Sequence, residues 1–200
     1  MKWKDLYILA FESEDDLSWQ SAFALCLRYN VPYEKIAVFQ AGDQDMKYKN
    51  FLSGATLQSK IIILAHGTTD YIDCSPFGQM DSVSFLLFLY NKLGLRNAGL
   101  VSLKSCNVGK GFFLEKCNLN CSLLFKDLSI GWWKAYKGMS ATHFTHNSCS
   151  FSSGPDDYFV RKKSDCKYKL SDDIRVKIIR GNANVKPENL TASRWCSADL

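Results

Sequence analysis

The stretch "LVSLKSCNVGKG", residues 100–111, decides how this chain is organised. Its first half is an apolar run typical of a strand, and its second half passes through Ser-Cys-Asn into glycines, which favour a turn. A cysteine inside a strand is ordinary core filler, but Cys106 stands where the strand ends. Because α/β folds expose their functional groups at the carboxyl ends of strands, Cys106 is a candidate nucleophile.

Apolar runs and helical periodicity alternate around this stretch. Strands are predicted over residues 6–12, 34–40, 59–67 and 98–106, and helices over 15–30 and 81–95. The run "SKIIILAHG" (59–67) is continuous and β-branched, as expected for a strand covered on both faces. The alternation predicts an α/β fold with a mainly parallel sheet flanked by helices.

The sequence changes character after about residue 131. Short aromatic and basic segments replace the earlier pattern, and they indicate strands more than helices. Residues 1–130 are therefore predicted to form an α/β catalytic core, and residues 131–200 a β-rich C-terminal extension or flap of the same domain. With 200 residues, 46% of them hydrophobic, the chain can build one sizeable core.

Composition limits the cellular setting. No apolar run approaches the roughly 20 residues that span a bilayer, so no membrane span is predicted. The eight cysteines show no dense spacing framework, which favours reduced thiols in a cytoplasmic, reducing compartment over a set of disulfides. The net charge of +5 does not by itself indicate nucleic acid.

The strand over residues 59–67 ends in His66-Gly67, and the strand over residues 98–106 ends in Ser105-Cys106. Adjacent parallel strands lie about 4.8 Å apart, so neighbouring strands would place an imidazole beside a thiol. That pair is the minimum for nucleophilic cysteine catalysis. Gly67 lets a backbone N–H approach the substrate, and with the Cys106 amide it could form an oxyanion hole.

This pattern, strand-His-Gly followed by helix and strand-Ser-Cys, resembles the clan CD cysteine peptidases. They include caspases, clostripain, gingipains, legumain, separase and the self-cleaving domains of large bacterial toxins. The likeness covers residues 6–116 and implies a caspase-like fold, a Cys106–His66 dyad and Gly67 in the oxyanion hole. The sequence "KSCNVG" departs from the caspase signature Gln-Ala-Cys-x-Gly, and the histidine lies 40 residues upstream, so the chain is not a close caspase.

The basic segments of the tail are most similar to those of the toxin self-processing domains, which bind inositol hexakisphosphate on a basic flap. The similarity implies a polyanion site and inositol hexakisphosphate as an activator, with no cofactor required for the chemistry. It also implies the host cytosol as the location if the chain is a delivered bacterial effector. Few aromatics interleave with the charges, which argues against nucleic acid. The residues predicted for this site are Lys167, Lys169, Arg175 and Lys177. The alternative is an ordinary solvated sheet face.

The function predicted from these residues is that of a cysteine endopeptidase, cleaving a specific bond in itself or in a protein substrate. One alternative is a catalytically silent caspase-like binding module that engages a polyanion or a partner protein through its basic β-face. A weaker one is a small-molecule hydrolase or acyltransferase with the same dyad. The substrate preference stays open, because Asp70 and Asp73 would favour a basic side chain, while Lys110 and Lys134 would favour an acidic one.

Three other features of the sequence bear on phosphate binding, metal binding and the reactivity of Cys106. The segment "NVGKG" has Lys104 where a phosphate loop needs its first glycine. The spacing Cys117-x3-Cys121 with His143-x2-His146 does not match structural zinc sites, so no metal site is predicted. Lys104 either stabilises a thiolate at Cys106 or points to the opposite face of its strand.

Overall fold

The computed structural model describes residues 3–11, 18–43, 47–138 and 176–186. In chain order the strands are β1 (Asp5–Phe11), β2 (Ile36–Phe39), β3 (Ser59–Leu64), β4 (His66–Gly67), β5 (Ile72–Asp73), β6 (Gln79–Met80), β7 (Asn97–Lys104), β8 (Ser129–Tyr136) and β9 (Val176–Arg180). The helices are α1 (Ser18–Tyr29), α2 (Ser82–Leu87) and α3 (Phe113–Leu124). A 3-10 turn, Tyr33–Lys35, precedes β2, and a π-helical turn, Phe88–Lys92, continues α2.

Six strands form the main sheet in the order β2-β1-β3-β7-β8-β9. Neighbouring pairs are parallel except for β9, which runs antiparallel to β8. The short strands β4, β5 and β6 form a separate antiparallel sheet at the carboxyl edge of the main one. The predicted α/β class is confirmed: the sheet is mainly parallel and helices flank it.

The core lies on both faces of β3, whose six residues are all buried. Alternation sends Ile61 and Ile63 into the large cluster, and Ile62 and Leu64 into the cluster beneath α1. Each fully buried isoleucine stabilises the fold by about 1.5–3 kcal/mol through its removal from water. Burial on both faces is the reason that this strand is apolar throughout.

The helix after β6 begins and ends where the sequence indicated, but it is not regular. The Asp81 carboxylate accepts a 2.8 Å hydrogen bond from the Ser84 amide and caps the N-terminus, and this bond lowers the Asp81 pKa. The last turn widens into the π form, in which the Leu93 amide bonds to the Phe88 carbonyl. Gly94 then takes a φ of +73° and ends the helix.

Strand β8 pairs with β7, and β9 pairs with β8, so residues 129–136 and 176–180 continue the main sheet. The segment after β9 runs to the start of β8, where the Ala183 amide bonds to the Ile130 carbonyl and the Trp132 indole bonds to the Val185 carbonyl. Residue 186 therefore lies at the amino edge of the sheet. Of the β-rich extension or flap predicted over residues 131–200, residues 139–175 and 187–200 lie outside the described residues. The boundary at residue 130 stays a prediction.

Candidate active site

His66 and Cys106 leave two neighbouring strands of the main sheet at the same level. Strand β3 pairs in parallel with β7, and the last pair in that register is Leu64 with Lys104. Each candidate residue stands two positions beyond its strand's last paired residue. His66 is exposed and Cys106 is partly exposed, so solvent reaches both. The two strands are neighbours, which was the condition for placing His66 and Cys106 at adjacent strand ends.

The predicted strand over residues 59–67 breaks at Ala65, which corrects the sequence interpretation. His66 and Gly67 leave the main sheet as β4 and pair with β5, His66 opposite Asp73 and Gly67 opposite Ile72. Ile72 is fully buried in the large core cluster, so that face of the hairpin points inward. His66 and Asp73 therefore share the outward face, because directly opposed residues point to the same side.

The hairpin also fixes the direction of the Gly67 amide. The pair nearest the turn is Thr68 with Tyr71, where the Thr68 amide donates a 2.9 Å hydrogen bond to the Tyr71 carbonyl. Bonded and non-bonded pairs alternate along an antiparallel ladder, so Gly67 and Ile72 form a non-bonded pair. The Gly67 N–H therefore points away from β5.

Gly67 packs directly on the residues around Cys106. A Cβ built on Gly67 would lie 2.5 Å from Val108 Cγ2, 3.1 Å from the Cys106 carbonyl oxygen and 3.1 Å from Ser105 Cβ. No side chain fits there without a shift of the neighbouring backbone or core. The glycine thus brings the hairpin into contact with the segment that carries the candidate nucleophile.

Residues 105–111, here called the Cys106 loop, are tied to the end of β8. The Asn107 amide bonds to the Gly138 carbonyl at 3.0 Å, and the Gly109 amide bonds to the Tyr136 carbonyl at 2.7 Å. Asn107 adopts a φ of +58°, the left-handed conformation that asparagine tolerates better than most residues. The turn immediately after Cys106 is therefore held by backbone bonds to the next strand.

The other side of the Cys106 loop meets the tip of the β4–β5 hairpin. A Cβ on Gly111 would overlap the Thr69 carbonyl oxygen, so only glycine allows this approach. The Thr68 hydroxyl accepts hydrogen bonds from the Asp70 and Tyr71 amides and shapes the tip. The loop is thus clamped between the hairpin that carries His66 and strand β8.

Lys104 precedes the loop on β7 and is buried, with 7% of its surface exposed. Its ammonium lies 3.4 Å from the Tyr136 hydroxyl of β8, a long hydrogen bond, and 5.7 Å from the centre of that ring. The Lys104 side chain is therefore buried and directed towards Tyr136 of the neighbouring strand.

Lys177, on β9, is the member of the predicted polyanion site that the structure describes. Its ammonium donates a 2.7 Å bond to the Gly111 carbonyl and pairs with the Glu115 carboxylate of α3 at 2.5 Å. It also lies over the Phe112 ring. Lys167, Lys169 and Arg175 fall outside the described residues, so binding of inositol hexakisphosphate stays a prediction, and an anion at Lys177 would compete with Glu115.

Three of the other four thiols in the described ranges are more deeply buried than Cys106. Cys74, Cys117 and Cys121 are buried, and desolvation raises the pKa of each, that of Cys121 to about 12. Cys26 is partly exposed, but desolvation raises its pKa as well, and its thiol donates to the Val31 carbonyl. No disulfide joins any two of these five cysteines.

Within residues 3–11, 18–43, 47–138 and 176–186, no cluster of three His, Cys, Asp or Glu side chains has the geometry of a metal site. His143 and His146, considered above with Cys117 and Cys121, lie outside those ranges. No helix among the same residues combines the length and apolarity needed to cross a bilayer.

The residue that sequence reasoning did not connect to the site is Asp73. The sequence favoured a role for Asp73 in substrate preference, whereas the hairpin places it opposite His66. The available signal was the segment "HGTTDYID", in which Thr-Asp between two short β-forming stretches is compatible with a two-residue hairpin loop. The apolar run before His66 continues without interruption to Gly67, so the sequence predicted one strand there and not a hairpin.

No protein-family model matches this chain, and no curated protein matches it significantly.

Proposed function

We propose that this protein is a cysteine endopeptidase of caspase-like fold, with Cys106 as nucleophile, His66 as acid and base, and the Gly67 and Cys106 amides as oxyanion donors. The observation that carries the proposal is the β3–β7 register, which sends His66 and Cys106 out of adjacent strands at one level. An imidazole beside a solvent-reachable thiol is the arrangement that thiolate chemistry needs.

In the proposed reaction the Cys106 thiolate attacks the carbonyl carbon of the scissile peptide. The S–C bond forms, and the carbonyl π electrons move to oxygen, where the two amides stabilise the charge. As the C–N bond breaks, His66 gives its proton to the departing amine. Water then attacks the thioester carbonyl while His66 accepts a proton from it. The C–S bond breaks, and the carboxylic acid product leaves with the Cys106 thiolate and the protonated His66 restored.

Cys106 is partly exposed whereas Cys74, Cys117 and Cys121 are buried, and this difference favours Cys106 as the nucleophile. The thiolate is the reactive form, and a raised pKa keeps Cys74, Cys117 and Cys121 protonated at neutral pH. Their exposed surfaces are also close to zero, so an electrophile does not reach them. A peptide bound at the carboxyl edge of the sheet therefore meets Cys106.

The test combines labelling with cleavage. The native protein is treated briefly with a haloacetamide, the modified cysteines are mapped by mass spectrometry, and a proteome-derived peptide library is scanned for cleavage. We expect rapid labelling of Cys106 and cleavage that Cys106→Ala abolishes. Cys26→Ala is the matched control, because it removes another partly exposed thiol and should leave cleavage unchanged.

The same experiment decides between the peptidase and the silent binding module. Cleavage that survives Cys106→Ala would contradict the proposed nucleophile. A folded protein whose Cys106 reacts no faster than Cys26, and which cleaves no peptide, would favour the binding module. Because the labelling step needs no substrate, an unsuitable library does not obscure that result.

A further inference from the structure

Helix α3 and the residue before it carry large apolar side chains on two opposite sides. The buried side chains of the inner side belong to the large core cluster, and they are Phe113, Leu114, Cys117 and Cys121. The exposed ones of the outer side are Phe112 at 71%, Leu119 at 58%, Leu123 at 62% and Leu124 at 60% of full exposure. A helix that is apolar all round is expected to be covered on all sides. The core covers only the inner side of α3.

The exposed residues form a narrow surface feature, here called the α3 stripe: Phe112, Leu119, Leu123 and Leu124. Phe112, Leu119 and Leu123 follow one another at spacings of seven and four residues. With 3.6 residues per turn, these spacings place the three side chains within about 40° of one another around the helix axis. Leu124 widens the stripe at its C-terminal end. Spacings of this kind form the seam by which one helix packs along another.

The α3 stripe has the area of a small interface. If a large apolar side chain presents about 170 Å² when fully exposed, the stripe leaves roughly 400 Å² open, as much as the largest apolar patch of an ordinary monomer. Apolar groups form about 56–65% of an interface, so two facing stripes of this size would make a contact of roughly 1,200–1,400 Å² in total. That area lies at the lower end of the range for specific, stable complexes.

The charges beside the α3 stripe argue against an anionic membrane as its partner. Three nearby carboxylates pair with cations of the same chain: Asp70 with Lys116, Glu115 with Lys177 and Asp127 with Arg96. Beyond these pairs, Lys110 and Lys126 add two exposed cations, one near each end of the stripe. Attachment to anionic lipid takes clusters of about four to eight basic residues. A rim of mixed charge suits a second protein surface of the same kind.

We propose that the α3 stripe is the interface of a homodimer, in which two copies of α3 cross antiparallel about a two-fold axis near Leu119. Leu119 stands closest to the middle of the stripe, so this axis sets each end of one stripe against the opposite end of the other. A parallel pair would bring the two Lys116 side chains together, whereas the antiparallel pair separates them. Phe112 directly follows Gly111, so the interface borders the Cys106 loop. The dimer does not depend on the proposed peptidase.

Sedimentation velocity of the full chain, from low-micromolar to submillimolar concentration, tests the proposal. We expect a monomer–dimer equilibrium that Leu119→Lys weakens by at least about tenfold, because two like charges would meet at the axis. Tyr33→Lys is the matched control. It places the same side chain at a position that is 83% exposed, beside the edge strand β2, and should leave the equilibrium unchanged. Both changes are at exposed positions, so thermal melts should stay close to wild type.

A charge-exchange experiment locates the axis. Leu119→Glu should weaken the dimer as Leu119→Lys does, but an equimolar mixture of the two variants should associate, because opposite charges then meet. Sodium chloride should weaken this mixed dimer and not the wild-type one, whose contact is apolar.

A wild-type dimer that is lost in Leu119→Lys, kept in Tyr33→Lys and restored in the mixture supports the proposal. A protein that stays monomeric at the highest concentration, a dimer that Leu119→Lys leaves intact, or a mixture that does not associate would each overturn it. Co-sedimentation with vesicles of phosphatidylserine and phosphatidylcholine is measured in parallel. Binding of a monomer to these vesicles that Leu119→Glu abolishes would overturn the homodimer in favour of a membrane surface.

Discussion

Lys177 of β9 donates a hydrogen bond to the carbonyl oxygen of Gly111, the last residue of the Cys106 loop, over a distance of 2.7 Å. The bond joins the final strand of the sheet to the segment that presents the candidate nucleophile. The same ammonium pairs with Glu115 in the first turn of α3. One side chain thus holds a strand, a helix and the Cys106 loop together.

Lys177→Met should loosen the Cys106 loop. The variant loses a bond from a charged donor to a carbonyl and a partly exposed ion pair, so the free energy of unfolding should fall by about 1–2 kcal/mol. Glu115→Gln is the control, because it removes the ion pair and keeps the bond to Gly111. We expect a loss below about 1 kcal/mol in Glu115→Gln and a slower haloacetamide reaction at Cys106 in Lys177→Met alone. Equal thiol reactivity in wild type and Lys177→Met would show that the loop does not depend on this bond.

Gly67→Ala should separate the hairpin from the Cys106 loop. The new methyl group would meet Val108 Cγ2 at 2.5 Å, and such overpacking costs about 1–3 kcal/mol of stability. Adding Val108→Ala removes that contact, so the double variant should recover most of the loss relative to the sum of the single changes. Equilibrium denaturation measures both effects.

Cleavage in the same two variants separates stability from catalysis. The contacts with Ser105 and with the Cys106 carbonyl remain at 3.1 Å in the double variant, so cleavage should stay impaired even after stability returns. Full wild-type cleavage in either variant would argue against Gly67 as an oxyanion donor.

Cys106→Ala and His66→Ala should each abolish cleavage, and the double variant should be no worse than either, because nucleophile and base act as a unit. Cys106 is partly exposed and His66 exposed, so the melting temperatures should stay within a few degrees of wild type. Multiplicative losses of rate in the double variant would place the two residues at separate sites. A steep fall in the Cys106→Ala melting temperature would make Cys106 a packing residue.

The buried thiols should make the protein less stable in alkali. The Cys121 pKa is raised from 9.0 to about 12 by burial, so the unfolded chain releases this proton at a lower pH than the native protein does. The contribution is fully present below pH 9 and is lost as the pH rises towards 12. Cys121→Ala should therefore show a shallower decline of unfolding free energy between pH 9 and 11. Identical slopes in urea titrations of both proteins would contradict this assignment.

The main sheet was predictable because its strands are marked by burial on both faces. The residues of β3 are apolar throughout for that reason, and the capped start of α2 was visible as Asp81. Helix α3 was not predicted, because Leu119, Leu123 and Leu124 are exposed and blur the apolar face. Its N-terminus also lacks a side-chain cap, so no start signal marked it.

The candidate dyad was predictable as residue types at strand ends, but its surroundings were not. Just beyond the break between β3 and β4, Gly67 approaches Val108, which is 41 positions away in the chain. The pairing of His66 with Asp73 depends on a two-residue turn that the apolar run concealed. Contacts of this kind leave little pattern in one sequence, because they are made between segments with no shared periodicity.

The path of the chain after β9 sets a minimum length for self-cleavage. Residues 3 and 186 lie at the amino edge of the main sheet, near the starts of β7 and β8, whereas Cys106 stands at the opposite edge. Nine residues of strand separate the two levels, roughly 30 Å at 3.3 Å per residue. A flanking segment needs about nine fully extended residues to reach the candidate nucleophile of its own molecule. For the proposed peptidase, self-cleavage at bonds nearer than that to residue 3 or residue 186 would therefore need a second copy of the protein.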